Sequence, residues 1–224
     1  MSPVVFVTGT DTGVGKTLVT VALMQALRAR GLRVAGMKPV ASGCRQTPEG
    51  LRNEDALAIQ AAASTPAAYE EVNPCAFEPA IAPHLAAAEA GVALDPAPLA
   101  AGAARLAAGA DRLLVEGAGG WLVPLGGGHT LAELAVRLRA RVVLVVGLRL
   151  GCLNHALLTA EAVRARGLEL AGWVGNAVDQ AFERRAENLA TLEEMLPARC
   201  LGVVPHLPTP DPTAVAPLLD TTTL

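Results

Sequence analysis

The chain has 224 residues, 52% of them apolar, and a formal net charge of −3. That length suits one domain with a substantial core. No block of Lys and Arg is present, which argues against a nucleic-acid partner, because binding to a phosphate backbone needs clustered cations. No apolar run reaches the ~18 residues of a membrane span.

Taken in chain order, apolar strand-like runs alternate with helical patterns. The N-terminus enters a strand without the basic stretch or cleavage site of a signal peptide, so a cytoplasmic location is expected. Strands are predicted over Val4–Thr8, Arg33–Pro39, Arg112–Glu116, Val142–Val146, Leu170–Gly175 and Leu201–Val204, with a shorter candidate over Glu71–Phe77. Helices are predicted over Thr17–Arg30, Glu54–Ala63, Pro83–Ala90, Pro98–Ala108, Thr130–Arg139, Asn154–Arg166 and Glu183–Leu196. The strands are rich in Val and Leu without clean alternation, as in a parallel sheet covered on both faces. The expectation is an α/β fold: a doubly wound, mostly parallel sheet in one domain over 1–224. The proline-rich segment 205–224 is expected to close the chain as a non-helical loop or tail.

The segments just after the strands are polar or glycine-rich. The first strand runs into "GTDTGVGKT" (Gly9 to Thr17), the second into "KPVASG" (Lys38 to Gly43), and the third carries "VEGAGG" from Val115. In such folds ligands sit at the carboxyl ends of the strands. Glycine-rich turns let backbone N–H groups converge on an anion, and the next helix adds partial positive charge. Gly-Lys-Thr between a strand and a helix is therefore read as a phosphate loop, although Gly9 to Gly15 is one residue longer than the usual spacing. In that reading Lys16 reaches the β- and γ-phosphates and the Thr17 hydroxyl ligates Mg²⁺.

Mg²⁺ favours oxygen ligands and commonly takes one or two carboxylates. Glu116, at the expected end of its strand, is the first candidate. Asp55 is the second, but Asn53, Glu54 and Asp55 also make an ordinary helix start. Asn176 has an amide that could read an adenine edge, or it is a turn residue beside Gly175. Of 18 basic residues 16 are arginines, and the only lysines are Lys16 and Lys38. Because an ammonium is a compact point charge and a guanidinium a broad fork, the retained lysines stand out as candidates for chemistry. Four scattered cysteines form no C-x-x-C pair, and four scattered histidines form no metal or triad pattern. Reduced thiols are expected.

The segments "VTGTDTGVGKT", "KPVASG", "TPEGLRNEDAL", "VNPCAF", "APH", "VEGAGGWLVPL", "LGCLNHALLTAEA", "AGWVGN" and "LGVVPHLP" occur in that order. Together they resemble the dethiobiotin synthetases, from about Val4 to Leu207, and the longer phosphate loop is a property of that family. The resemblance implies a P-loop enzyme that uses ATP and Mg²⁺ to join CO2 to 7,8-diaminopelargonate and close a ureido ring, through a carbamate and a carbamic-phosphoric anhydride. It implies Lys38 and Lys16 as catalytic residues. Nucleotide contacts fall to Gly13, Val14, Gly15, Lys16, Thr17 and Leu18, to Glu116, Gly117, Ala118 and Gly119, and to Asn176, Pro205, His206 and Leu207. Thr17, Asp55 and Glu116 would hold Mg²⁺, and Ser42 would hydrogen-bond the diamine. Leu150, Gly151, Cys152 and Asn154 would hold the substrate carboxylate from the neighbouring subunit of a homodimer. Two positions depart from the pattern: Gly13 stands where many relatives have Glu, and Asn188 where some have an aromatic residue.

Two rivals are weaker. A related glutamine-dependent amidating enzyme needs a second domain with a catalytic cysteine, for which the chain is too short. A switch ATPase of the chromosome-partition or septum-positioning type carries an additional lysine early in the loop, which is absent here.

Overall fold

The computed structural model describes residues 3–224. Six strands form its central sheet: β1 (Val4–Gly9), β2 (Val34–Met37), β3 (Arg112–Gly120), β4 (Arg141–Gly147), β5 (Leu170–Asn176) and β6 (Cys200–Val204). Their spatial order is β6-β5-β4-β1-β3-β2. Every pairing is parallel. The chain goes from β1 to the edge at β2, returns to place β3 between the two, then crosses to the other side at β4 and builds outward from there. Such a reversal opens a crevice beyond the carboxyl end of the central strand, and here that strand is β1.

Side chains of successive strand residues point to opposite faces, so the continuous apolar runs feed two cores. Val5, Val7, Leu114, Val143, Val145 and Val174 pack on one face, with helices Lys16–Ala29 and Glu54–Ala62. Phe6, Leu113, Val115, Val142, Leu144 and Trp173 pack on the other, with helices Pro96–Ala108, Leu131–Arg137 and Cys152–Ala165. This is the expected doubly wound sheet.

The structure corrects four details. The strand expected over Arg33–Pro39 stops at Met37, because the Lys38 N–H leaves the sheet for the Val72 carbonyl at 2.8 Å and Pro39 has no N–H to donate. The strand considered over Glu71–Phe77 is a short helix, Tyr69–Val72, and then an extended pair, Cys75–Ala76, against Val40–Ala41. Pro74 separates the two pieces. The third strand does not end at Glu116 but runs to Gly120: Val7 pairs with Glu116 and Gly9 with Gly120, so Gly117–Gly119 bulge out of the ladder. The proline-rich end is not wholly irregular. Asp211 accepts from Thr213 N at 2.9 Å and caps a turn of helix, Pro212–Val215, with proline at its first position.

Arginines fasten this last segment along the amino ends of the strands. Arg30 and Arg141 donate to the carbonyls of Thr221 and Thr223, and Arg112 to that of Leu224 at 3.2 Å. Among the described residues no helix is long and apolar enough to cross a membrane.

Gly36, on edge strand β2, sets how closely two helices approach the sheet. A Cβ there would lie 2.3 Å from Ile59 Cγ2 and 2.8 Å from Met24 Cε. Ile59 belongs to the helix that carries Asp55. Gly36→Ala is therefore expected to destabilise the protein by about 1–3 kcal/mol, the usual cost of overpacking a filled core. Urea unfolding measures this, and an unchanged midpoint would show that the helix can retreat without cost.

Candidate active site

Beyond Gly9 the chain turns through residues 10–15 into helix Lys16–Ala29. Thr10 N donates to Val145 O at 3.0 Å, tying the loop to β4. The additional residue of the loop is absorbed by turning Val14 inward. Its side chain is fully buried, and its carbonyl accepts from Asn176 Nδ2 at 2.9 Å. Gly15, at φ 85°, must lack a side chain, since a Cβ would stand 2.1 Å from that same Nδ2. Gly13 faces open space at φ 73°. No side chain caps helix Lys16–Ala29, so the N–H groups of Lys16, Thr17 and Leu18 are left for an anion.

Four polar side chains meet beside this loop. Lys38 Nζ donates to Glu116 Oε1 at 2.6 Å, to Asp55 Oδ2 at 3.1 Å and to Gly117 O at 3.4 Å. Thr17 Oγ1 donates to Glu116 Oε1 at 2.9 Å. Glu116 is fully buried, while the Asp55 side chain is 43% exposed towards the crevice. Burial opposes the charge on Lys38, but the Glu116 and Asp55 carboxylates outweigh it and raise its pKa above the ordinary lysine value. Lys16 moves the other way: burial first, then the positive charge of Lys38, lower it to about 8. Burial would raise Asp55, yet Lys38 holds its carboxyl below the usual range.

The donor set fits Mg²⁺. Glu116 Oε2 is buried without a hydrogen-bond partner, beside the Thr17 hydroxyl and the Asp55 carboxylate. Among the described residues no group of three or more His, Cys, Asp or Glu could hold a metal ion. A divalent ion here would complete its shell with water and phosphate oxygens, as Mg²⁺ does and Zn²⁺ sites usually do not.

A cavity of about 1100 Å³ opens over these groups. Gly13, Gly15, Lys16, Thr17, Leu18, Lys38, Ser42, Asp55, Glu116, Ala118 and Gly119 all line it. Ser42 Oγ is buried without a partner. The other predicted residues lie elsewhere. Val14 and Asn176 sit beneath the loop, and Gly117 meets Lys38 through its carbonyl. His206 Nδ1 is 3.1 Å from Ala177 O, and Pro205 to Leu207 come after β6, outside the cavity lining. Leu150, Gly151, Cys152 and Asn154 surround the start of helix Cys152–Ala165, also outside it, and Leu150 is 92% exposed. Asn188 donates to its own helix, to Arg184 O at 2.8 Å, and does not reach the cavity.

Sequence reasoning missed several contributors. Ala80, Ile81, Ala82 and Pro83 form one wall, and Pro210 and Pro212 another. Arg149 pairs with Asp11 of the loop at 2.6 Å. Asn73 and Tyr69 hold the backbone behind Lys38. Proline-flanked small residues carry no chemical signal of their own, and ion pairs across 138 positions are invisible in a linear pattern.

A parallel sheet with a Gly-Lys-Thr loop at its switch point defines the P-loop class of α/β proteins. Solved structures agree on the fold: a septum site-determining protein MinD from Pyrococcus horikoshii has a TM-score of 0.60 at 16% identity, covering 93% of this chain and 83% of that one. The MinC:MinD complex of Aquifex aeolicus gives 0.58 at 17%, covering 92% and 82%. The sequence profile of an AAA domain family matches residues 4–214. An ATP-dependent dethiobiotin synthetase of Pseudomonas paraeruginosa is 59% identical, over 97% of this chain and 96% of its own. Those of Cellvibrio japonicus and Xanthomonas euvesicatoria are 54% and 50% identical, over 98% and 96% of this chain and 96% of each of their own. The chain belongs to the dethiobiotin synthetase family.

The buried pair has an energetic consequence. Lys38→Ala would leave Glu116 charged and dry, so the unliganded protein should lose about 3–5 kcal/mol of stability. Lys38→Ala/Glu116→Gln should regain most of that loss. Equal unfolding midpoints for the wild type and Lys38→Ala would show that Glu116 is not left as an uncompensated buried charge.

Proposed function

We propose that this protein is an enzyme that makes dethiobiotin from 7,8-diaminopelargonate, CO2 and ATP. The observation that carries the reading is the meeting of Lys16, Lys38, Thr17, Asp55 and Glu116 on one cavity beside an uncapped helix start. The relatives' shared name supports the same reaction.

One amine of the diamine adds to CO2 and loses a proton, giving a carbamate. A carbamate oxygen attacks the γ-phosphorus as the bond to ADP breaks, giving the mixed anhydride. The second amine attacks the carbonyl carbon, phosphate leaves, and the ureido ring closes with loss of a proton. Every reactant in the second step is anionic, so positive charge at short range is the main requirement. Lys16 and the N–H groups of residues 13–18 would hold the β- and γ-phosphates. Lys38 would face both the carbamate and the transferring phosphoryl group, and the unpartnered Ser42 hydroxyl would fix the diamine. Thr17, Asp55 and Glu116 would hold Mg²⁺, which when bound neutralises phosphate charge. Asn176 and Pro205 to Leu207 would border the adenine.

The substrate carboxylate would be held by Leu150, Gly151, Cys152 and Asn154 of a second copy in a homodimer. The exposed Leu150 and the uncapped start of helix Cys152–Ala165 support that assignment. A cytoplasmic location belongs to the same reading and is supported by four free cysteines.

Purified protein with Mg-ATP and bicarbonate should release phosphate only when the diamine is added, and mass spectrometry should find the ureido product. Hydrolysis indifferent to the diamine, with no ring product, would refute the proposal in favour of a switch ATPase. Ser42→Ala should raise KM for the diamine about tenfold, the effect of one lost hydrogen bond, with KM for ATP little changed.

A further inference from the structure

Lys38 lies just past the end of β2, where the sheet no longer fixes its backbone. A separate segment takes over. Lys38 N donates to Val72 O at 2.8 Å, and Lys38 O accepts from Asn73 Nδ2 at 2.7 Å. Asn73 Oδ1 in turn accepts from the Tyr69 hydroxyl at 3.0 Å. The Tyr69 oxygen accepts from Asn53 N at 2.7 Å. Asn53 is the N-cap of helix Glu54–Ala62, its Oδ1 accepting from Ala56 N at 3.2 Å. That helix carries Asp55, whose Oδ2 returns to Lys38 Nζ at 3.1 Å.

The chain of contacts is closed, and its interior members are buried: Asn73 is 3% exposed and Tyr69 7%. Arg52 lies over the Tyr69 ring, 4.1 Å from its centroid, and holds the ring from outside. Besides Lys38 and Asp55, Asn53 also borders the cavity, whereas Tyr69 and Asn73 do not line it. Any buried tyrosine hydroxyl needs a partner; here its two partners lead one to the Lys38 backbone through Asn73 and the other to the start of the Asp55 helix through Asn53.

We propose that Tyr69 and Asn73 are positioning residues that lock Lys38 and Asp55 at one fixed separation, and so set the rate of phosphoryl transfer and the use of Mg²⁺. The proposal rests on the synthetase reading for the roles of Lys38 and Asp55. Tyr69→Phe removes one oxygen and keeps the ring, freeing the Asp55 helix from the Lys38 segment. A shift of about an ångström between reacting groups costs as much as a hundredfold in rate.

The test compares the wild type, Tyr69→Phe, Asn73→Ala and the double variant. Each single variant should lower kcat at least about tenfold with KM for ATP within about twofold, the pattern of a contact that matters only in the transition state. Because the two residues act through one chain, the double variant should lose no more than the worse single one, instead of the product of the two losses. ADP binding by calorimetry gives a readout independent of turnover. Mg²⁺ should strengthen ADP binding less in Tyr69→Phe than in the wild type, with metal-free affinity equal. Multiplying losses, or a lowered melting temperature with kcat and the Mg²⁺ effect intact, would overturn the proposal and leave Tyr69 a packing residue. Should Tyr69→Phe not fold, Asn73→Ala decides alone by its kcat and its Mg²⁺ effect. A wild type without diamine-dependent turnover would instead refute the synthetase reading, while the calorimetric comparison would still decide whether the lock exists.

Discussion

Lys38 and Glu116 form an ion pair, 2.6 Å long, in a place almost without water. Two charges in such surroundings are costly unless each is held against several partners. The fold supplies those partners from distant pieces of chain: β3 brings Glu116 and Gly117, the start of helix Glu54–Ala62 brings Asp55, and helix Lys16–Ala29 brings Thr17. Remove any of these elements and the remaining charges are stranded. The pair thus ties the arrangement of the crevice to the integrity of the sheet.

The anion cradle beside it depends on a second constraint. A loop one residue longer than usual could wander, yet here Val14 is sunk into the core and its carbonyl is held from β5. The side chain that holds it, Asn176, occupies space that only glycine at position 15 leaves open. The additional residue is therefore used as an anchor. Asp11 and Arg149 fix the outer side of the same loop at 2.6 Å. Held from both sides, the free N–H groups of the helix start are aimed before any ligand arrives, which lowers the ordering cost of binding.

Much of this was legible in the sequence, because the signals are local. Unbroken Val- and Leu-rich runs separated by helical patterns identified the parallel sheet, and a Gly-Lys-Thr turn identified the cradle. The misreadings share one cause. Glu71–Phe77 looked extended by composition, but Tyr69–Val72 is a helical turn whose Val72 carbonyl accepts from Lys38 N and whose Tyr69 hydroxyl accepts from Asn53 N. The third strand runs past Glu116 because Gly120 finds Gly9 again after a bulge that no propensity encodes. For Asp55, local reading left a helix start and a ligand equally open. The structure has Asn53 as the cap and puts Asp55, two positions on, against Lys38 at 3.1 Å.

The scarcity of lysine also acquires a physical reason. Most cations of this chain are arginines, and those at the amino ends of the strands use the planar fork to reach carbonyls and carboxylates together, as Arg141 does with Glu169 at 2.6 Å and Thr223. At position 38 the acceptors are disposed differently. Glu116 Oε1, Asp55 Oδ2 and Gly117 O surround a single nitrogen at 2.6, 3.1 and 3.4 Å. An ammonium with three rotatable donors meets such a set from one point, whereas a flat guanidinium would need a wider slot in a site that is already full. At position 16 the nitrogen doubles back over its own loop, donating to Asp11 O at 3.1 Å at the edge of the cavity. In both places the geometry asks for a compact, movable charge, and only there does the chain keep lysine.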